Sequence, residues 1–144
     1  MNYEFPALTI CQPYAHLIAT PTEQLPEGYE QKRIENRRWW TKHRGPLAIH
    51  AGKSKHWLDP GDEDRFPDLV YGAVLALADV IDCVKLGGRR PVPDWIKDHQ
   101  HTEGPYCWVL SNIRRLVKPF PASGKQQIWT VQIPEEYLPL EKAS

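Results

Sequence analysis

Apolar and polar positions alternate along the chain in short runs, and each run predicts a short element. "ALTIC" (7–11) predicts a first strand, and "QPYAHLIA" (12–19) a short helix with Pro13 where a missing N–H is harmless. Residues 21–31 read as a polar loop. In "RIENRRW" (33–39) a period of two puts Glu35, Arg37 and Trp39 on one strand face and Ile34, Asn36 and Arg38 on the other, with Lys32 at the entrance. "GPLAIHAG" (45–52) predicts a partner strand, followed by a helical turn around "KSKHWL" (53–58) and an acidic loop over 59–68. "YGAVLALADVIDCVKL" (71–86) is apolar on both faces, the pattern of a central strand covered on each side. A helical turn at "PDWIKDH" (93–99) precedes two further strands, "YCWVLSNIRRL" (106–116) and "QQIWTVQI" (126–133).

The 14 prolines exclude long helices almost everywhere. Period-two strands joined by proline-rich loops predict the α+β class: a small β-barrel or strongly curved sheet of about five or six strands with one to three short helices. A chain of 144 residues suits one compact core, so a single domain over 1–144 is expected. No apolar run reaches the roughly 20 residues of a membrane span, so no membrane partner is expected. The start, "MNYEFPALTIC", lacks the features of a secretory signal. Cys11, Cys83 and Cys107 are dispersed and odd in number, which argues against a disulfide framework and for a reducing, cytoplasmic setting.

The chain is neutral overall, but between Glu30 and Lys55 eight lysines and arginines face only two acids. Such a segment creates a local positive field able to capture an anion, unless it is simply a solvated, salt-bridged strand face. Lys32 and Arg37 offer a point charge and a planar fork, suited to phosphate or a base carbonyl, with Glu35 ion-paired between them. The same trio suits a purely structural bridge, or proton transfer during hydrolysis. Strand alternation sends Trp39 and Trp40 to opposite faces, so at most one belongs to the core; the other either packs under a loop or offers a stacking platform for an unpaired base beside the arginines, with Lys42 and Arg44 nearby. Trp108 and Trp129 read as core. His50 either lines the cleft or is a satisfied structural histidine. Asp79 shares a face with Leu75, Leu77 and Ile81, which predicts a buried carboxylate with Lys32 or Arg37 as its counter-ion. His99 and His101, with Asp98 and Glu103, form a weak metal pattern on a flexible loop; no metal and no cofactor is expected.

The blocks "LTICQPYAHLI", "KRIENRRWWTKHRGPLAIHAGK", "GAVLALADVIDCV" and "YCWVLSNIRRL…GKQQIW" resemble, in order, those of the ASCH domain, a branch of the PUA-like β-barrel superfamily. The resemblance covers residues 7 to about 133. The family signature GxKxxExR is matched in "EQKRIENR" at Lys32, Glu35 and Arg37, while Glu30 occupies the glycine position and Gly28 lies two residues earlier. The resemblance implies binding of RNA or other nucleic acid; some branches cleave single-stranded RNA or hydrolyse N4-acylated cytidines. In the hydrolysing branch a threonine follows three positions after the lysine, where this chain has Glu35, so that Thr41 is the hydroxyl the fold would have to supply. The resemblance also puts Gln12, Tyr14 and Lys125 near the cleft, to read a base edge, to stack and to hold a phosphate.

The expected function is therefore binding of RNA, single-stranded nucleic acid or a nucleotide, modified or not, in a basic, tryptophan-lined cleft. Its expected residues are Gln12, Tyr14, Lys32, Glu35, Arg37, Trp39, Trp40, Lys42, Arg44, His50, Lys53 and Lys125. The alternative is a metal-independent amidohydrolase or ribonuclease using Lys32, Glu35 and Asp79. A third option, a protein-interaction module, would use the acidic face of residues 59–68; no particular protein partner is implied.

Overall fold

The computed structural model describes residues 1–139. Its framework is a six-stranded mixed sheet of β1 (Asn2–Ile10), β2 (Ile34–Arg37), β3 (Gly45–Ala51), β4 (Ala73–Lys85), β5 (Tyr106–Pro121) and β6 (Ile128–Pro134). Three short helices, α1 (Tyr14–Ala19), α2 (Asp62–Arg65) and α3 (Asp94–Asp98), complete it. The strand order is β2-β5-β4-β3-β1-β6, so β2 and β6 are the two edges and the sheet is not closed into a barrel. This is the α+β class that the patterning predicts. Among the described residues no helix is long and apolar enough to cross a membrane.

The β1–β3 pair is parallel, and every other pair is antiparallel. Parallel neighbours need a long crossover. Here that crossover, residues 11–44, carries α1 and β2 and hence most of the candidate chemistry. Against this sheet α1 packs Ala15, Ile18 and Ala19 into a cluster with Leu8, Ile49, Leu110 and the fully buried Trp108. Ile18 contributes about 1.5–3 kcal/mol by leaving water, and the two alanines let α1 lie close against the sheet, which makes α1 a firm wall for whatever lies beside it. Trp129 differs from the reading as core: it is only half-buried, packed at the margin of a second cluster around Ala48, Val74 and Ile133.

Several elements depart from the patterning for identifiable reasons. β2 stops at Arg37 because Arg37 pairs with Tyr106, the first residue of β5, and no strand remains opposite Arg38 and beyond. Trp39 and Trp40 are therefore outside the strand; alternation does not separate them, and both are exposed, at 45% and 55%. The turn expected over 53–58 is not helical. Instead the acidic segment contains α2, where Asp62 accepts a hydrogen bond from Asp59 N at 2.7 Å and from Arg65 Nη1 at 2.6 Å. β4 changes register against β5 between Leu77 and Asp79 and again between Val80 and Asp82. Bulges of this kind re-aim side chains, so the regular face expected for Leu77, Asp79 and Ile81 is broken: Leu77 is buried and Ile81 is 56% exposed.

Candidate functional site

Lys32 precedes β2 and is held by its backbone, which donates to Leu17 O at the end of α1 (2.9 Å). Its side chain turns inward and is buried, an expensive arrangement for an ammonium unless it is paired. Lys32 Nζ donates to Glu35 Oε1 at 2.9 Å and to the Ile34 carbonyl. On the same carboxylate, Glu35 Oε2 accepts from Arg37 Nε at 2.9 Å, and Arg37 Nη2 also reaches Thr9 O on β1 at 3.1 Å. The signature residues thus form a continuous bridge from α1 across β2 to β1.

That bridge forms one wall of a cavity of about 330 Å³, the small end of the range for ligand pockets. Tyr14 from α1 and Trp57 from the loop after β3 add aromatic surface, and Cys11 also lines the cavity. Burial is the main cause of the raised pKa of both Cys11 and Tyr14; the charged carboxylates of Glu103, Asp59 and Asp62 raise Tyr14 further.

The remaining wall is the segment 100–103, which the sequence suggested as a flexible loop with a weak metal pattern. It is firmly tied. Glu30 Oε1 accepts from His99 Nδ1 at 3.0 Å and from Gln100 N, while His101 Nε2 donates to Glu30 O at 2.9 Å. Asn36 closes the other end: its amide donates to His101 O at 2.8 Å and its Oδ1 accepts from Glu103 N and Gly104 N. His99 Nε2 accepts from Arg33 N, so the ring is the neutral Nδ1–H tautomer, and burial lowers its pKa against the pull of Glu30. Glu30 therefore has a local role, and Gly28, at φ +91°, takes the left-handed turn that precedes it.

Of the residues expected to bind a ligand, Tyr14, Lys32, Glu35 and Arg37 meet at the cavity. The others lie elsewhere. Gln12 is fully buried; its Oε1 accepts from His16 N at 2.9 Å and its Nε2 donates to Val70 O at 2.7 Å, which leaves it no edge to offer a base. His50 does not line the cleft. Its Nε2 donates to Ala122 O at 2.7 Å, so Nδ1 is the acceptor for the Thr9 hydroxyl at 3.1 Å, and Trp129 Nε1 donates to Thr9 Oγ1 in turn. Burial keeps this imidazole's pKa low. Asp79 is half-buried and pairs with Arg114 at 3.1 Å and with Asn112, rather than with Lys32 or Arg37, because the β4 bulges turn it away. Thr41 Oγ1 accepts from His43 N at 3.1 Å and is likewise outside the cavity.

Trp39, Trp40, Lys42 and Arg44 form an exposed extension beyond the end of β2, with Arg37 and Arg44 lying 6.0 and 5.8 Å from the ring centroids of Trp39 and Trp40. Lys53 lies along Gly72, and Lys125 is exposed on the β5–β6 loop; neither lines the cavity. Sequence reading missed Trp57 and Asn36 as cavity residues, and Gln100 and Glu103 as part of the wall. Only the dense polar run "HQHTEG" carried a signal for the latter two.

No family model matches the chain. Two curated proteins are similar to it: Activating signal cointegrator 1 of Homo sapiens and of Mus musculus, each 29% identical over an alignment of 136 residues, with 85% of this chain covered. The match takes up 21% of each relative, so the chain resembles about one fifth of those proteins.

Proposed function

We propose that the chain is a single ASCH-type, PUA-like domain whose cavity takes a nucleobase, from single-stranded RNA or from a free nucleoside, modified or not. The observation that carries this reading is the buried Lys32–Glu35–Arg37 bridge in the wall of a cavity flanked by Tyr14 and Trp57. Both cations donate to Glu35, and Glu103 brings a second carboxylate to the lining, so the cavity suits an uncharged polar ring better than a phosphate. The Glu35 carboxylate has lone pairs left to accept from an exocyclic amine, and two aromatic side chains offer π faces. Phosphates fit outside, on Arg38, Lys42 and Arg44. The similarity to Activating signal cointegrator 1 is consistent with the domain assignment. Three free cysteines suit a reducing, cytoplasmic setting, and the reading invokes no metal or cofactor.

Titration of intrinsic tryptophan fluorescence with short RNA oligomers tests it. Saturable binding is expected, weakening linearly on a log–log scale with salt, and weakened further by Lys32→Ala and Arg37→Ala. Glu35→Gln should cost about 1–3 kcal/mol of affinity, more for cytidine than for uridine ligands, because uracil presents a carbonyl where cytosine presents the amine. Absence of saturable binding at low salt would end this reading.

A second reading is hydrolysis of N4-acylated cytidine or of single-stranded RNA in the same cavity. It is favoured by Lys32 and Glu35, two proton-carrying groups 2.9 Å apart in the cavity wall. Against it, Asp79 pairs with Arg114 and Thr41 with His43, so neither completes a Lys/hydroxyl/carboxylate set there. Incubation with N4-acetylcytidine and with labelled RNA decides: turnover no greater than that of Lys32→Ala and Glu35→Ala removes the enzyme.

A further inference from the structure

Charges around the mouth of the cavity are separated by sign. On the side of Tyr14, Glu103 reaches the cavity itself, and Asp59 lines the depression that adjoins it across Tyr14, Gln100 and His101. Among the described residues neither carboxylate has a salt-bridge partner, whereas neighbouring Asp62 is matched by Arg65 at 2.6 Å. Glu63, also on that side, is matched only by the exposed Lys55 at 3.6 Å. On the side of Arg37 the chain runs out through Arg38, Trp39, Trp40, Lys42 and Arg44, and no acid occurs from residue 36 to residue 58. Both indoles there are exposed, each with a guanidinium about 6 Å from its ring.

A nucleotide within a strand carries a phosphodiester on each side. One side of this cavity offers a run of cations with no acid among them; the other presents the unpaired Glu103 and Asp59, its Lys55 facing Glu63, and juxtaposed like charges oppose binding strongly. We propose that the cavity takes the terminal nucleoside of a single strand, and that the rest of the strand leaves in one direction, over the Arg37–Arg44 segment, with bases on Trp39 and Trp40. The inference rests on the nucleobase reading of the cavity and adds to it that a free end is required. The exposed tryptophans beyond β2 then have a use that a lone nucleoside in the cavity would not give them.

Four forms of one RNA hexamer test this by fluorescence anisotropy at fixed salt: unphosphorylated linear, 5′-phosphorylated, 3′-phosphorylated, and circular. The circle is expected to bind roughly tenfold or more weakly than the unphosphorylated strand, and one terminal phosphate but not the other to cause a similar loss. Glu103→Gln with Asp59→Asn, checked for folding by circular dichroism, should narrow that gap. Trp39→Ala with Trp40→Ala should remove a gain of roughly fivefold or more per stacked base from the linear strand. Linear and circular forms binding within twofold of each other would overturn end recognition and leave the nucleobase reading intact. No binding of any form, nor of a nucleoside, would overturn both.

Discussion

Glu35→Gln probes the bridge at its centre. In the folded protein the Glu35 side chain is 8% exposed and joins Lys32 Nζ, 2.9 Å away on a side chain 4% exposed, to Arg37, which is 20% exposed. Glutamine keeps the shape but offers one neutral oxygen, and its amide nitrogen must face one of the two cations. Arg37 retains the Thr9 carbonyl and some access to water; Lys32 retains only the Ile34 carbonyl. A surface ion pair would contribute no more than about 1 kcal/mol. Removing one partner of a buried pair costs about 3–5 kcal/mol, because the remaining charge is left uncompensated. The partial exposure of Arg37 favours the lower end, about 3 kcal/mol, equivalent to a fall of roughly 10 °C in Tm for a domain of this size. Urea unfolding followed by tryptophan fluorescence measures the first quantity, and thermal melting by circular dichroism the second. Adding Lys32→Met removes the stranded ammonium, so the double variant should be more stable than Glu35→Gln alone. A loss under about 1 kcal/mol, or a Lys32→Met loss that simply adds, would show that the pair is not a buried, coupled bridge.

Further expectations concern the supports of the site. Burial lowers the pKa of His16, His50, His99 and His101 from the ordinary 6.5. The unfolded chain therefore takes up protons first: Tm should be flat between about pH 6.5 and 8 and fall as pH drops below that range towards the folded pKa values, and a Tm that rises on acidification below about pH 6.5 contradicts the neutral ring assignments. His50→Gln should flatten part of that slope. Gly124→Ala would put a Cβ 2.6 Å from Thr9 Oγ1 and 2.7 Å from His50 Cε1, so a loss of about 1–3 kcal/mol in chemical denaturation is expected despite the exposed position. Trp57→Ala, at a residue 58% exposed, should change stability by no more than about 0.5 kcal/mol yet weaken RNA binding by about 1–3 kcal/mol; unchanged binding would remove Trp57 from the site.

Local pattern was enough to determine the strands' existence, the α+β class, helices near Tyr14 and Asp94, and the shared face of Glu35 and Arg37, because alternation within one segment decides which side chains share a face. Long-range pairing decided the rest. β2 ends where β5 begins, which frees Trp39 and Trp40 from any strand face, and the register shifts in β4 turn Asp79 towards Arg114. The wall carrying Gln100 and Glu103 is about 70 residues from Glu30 in sequence and is held at the cavity by hydrogen bonds that include those to Glu30 and Asn36. Gln12 and His50 look as polar in sequence as any ligand-binding residue. Only the packed chain shows that their donors and acceptors are already engaged by Val70, His16, Thr9 and Ala122, since satisfaction of a buried polar group depends on neighbours that periodicity does not record.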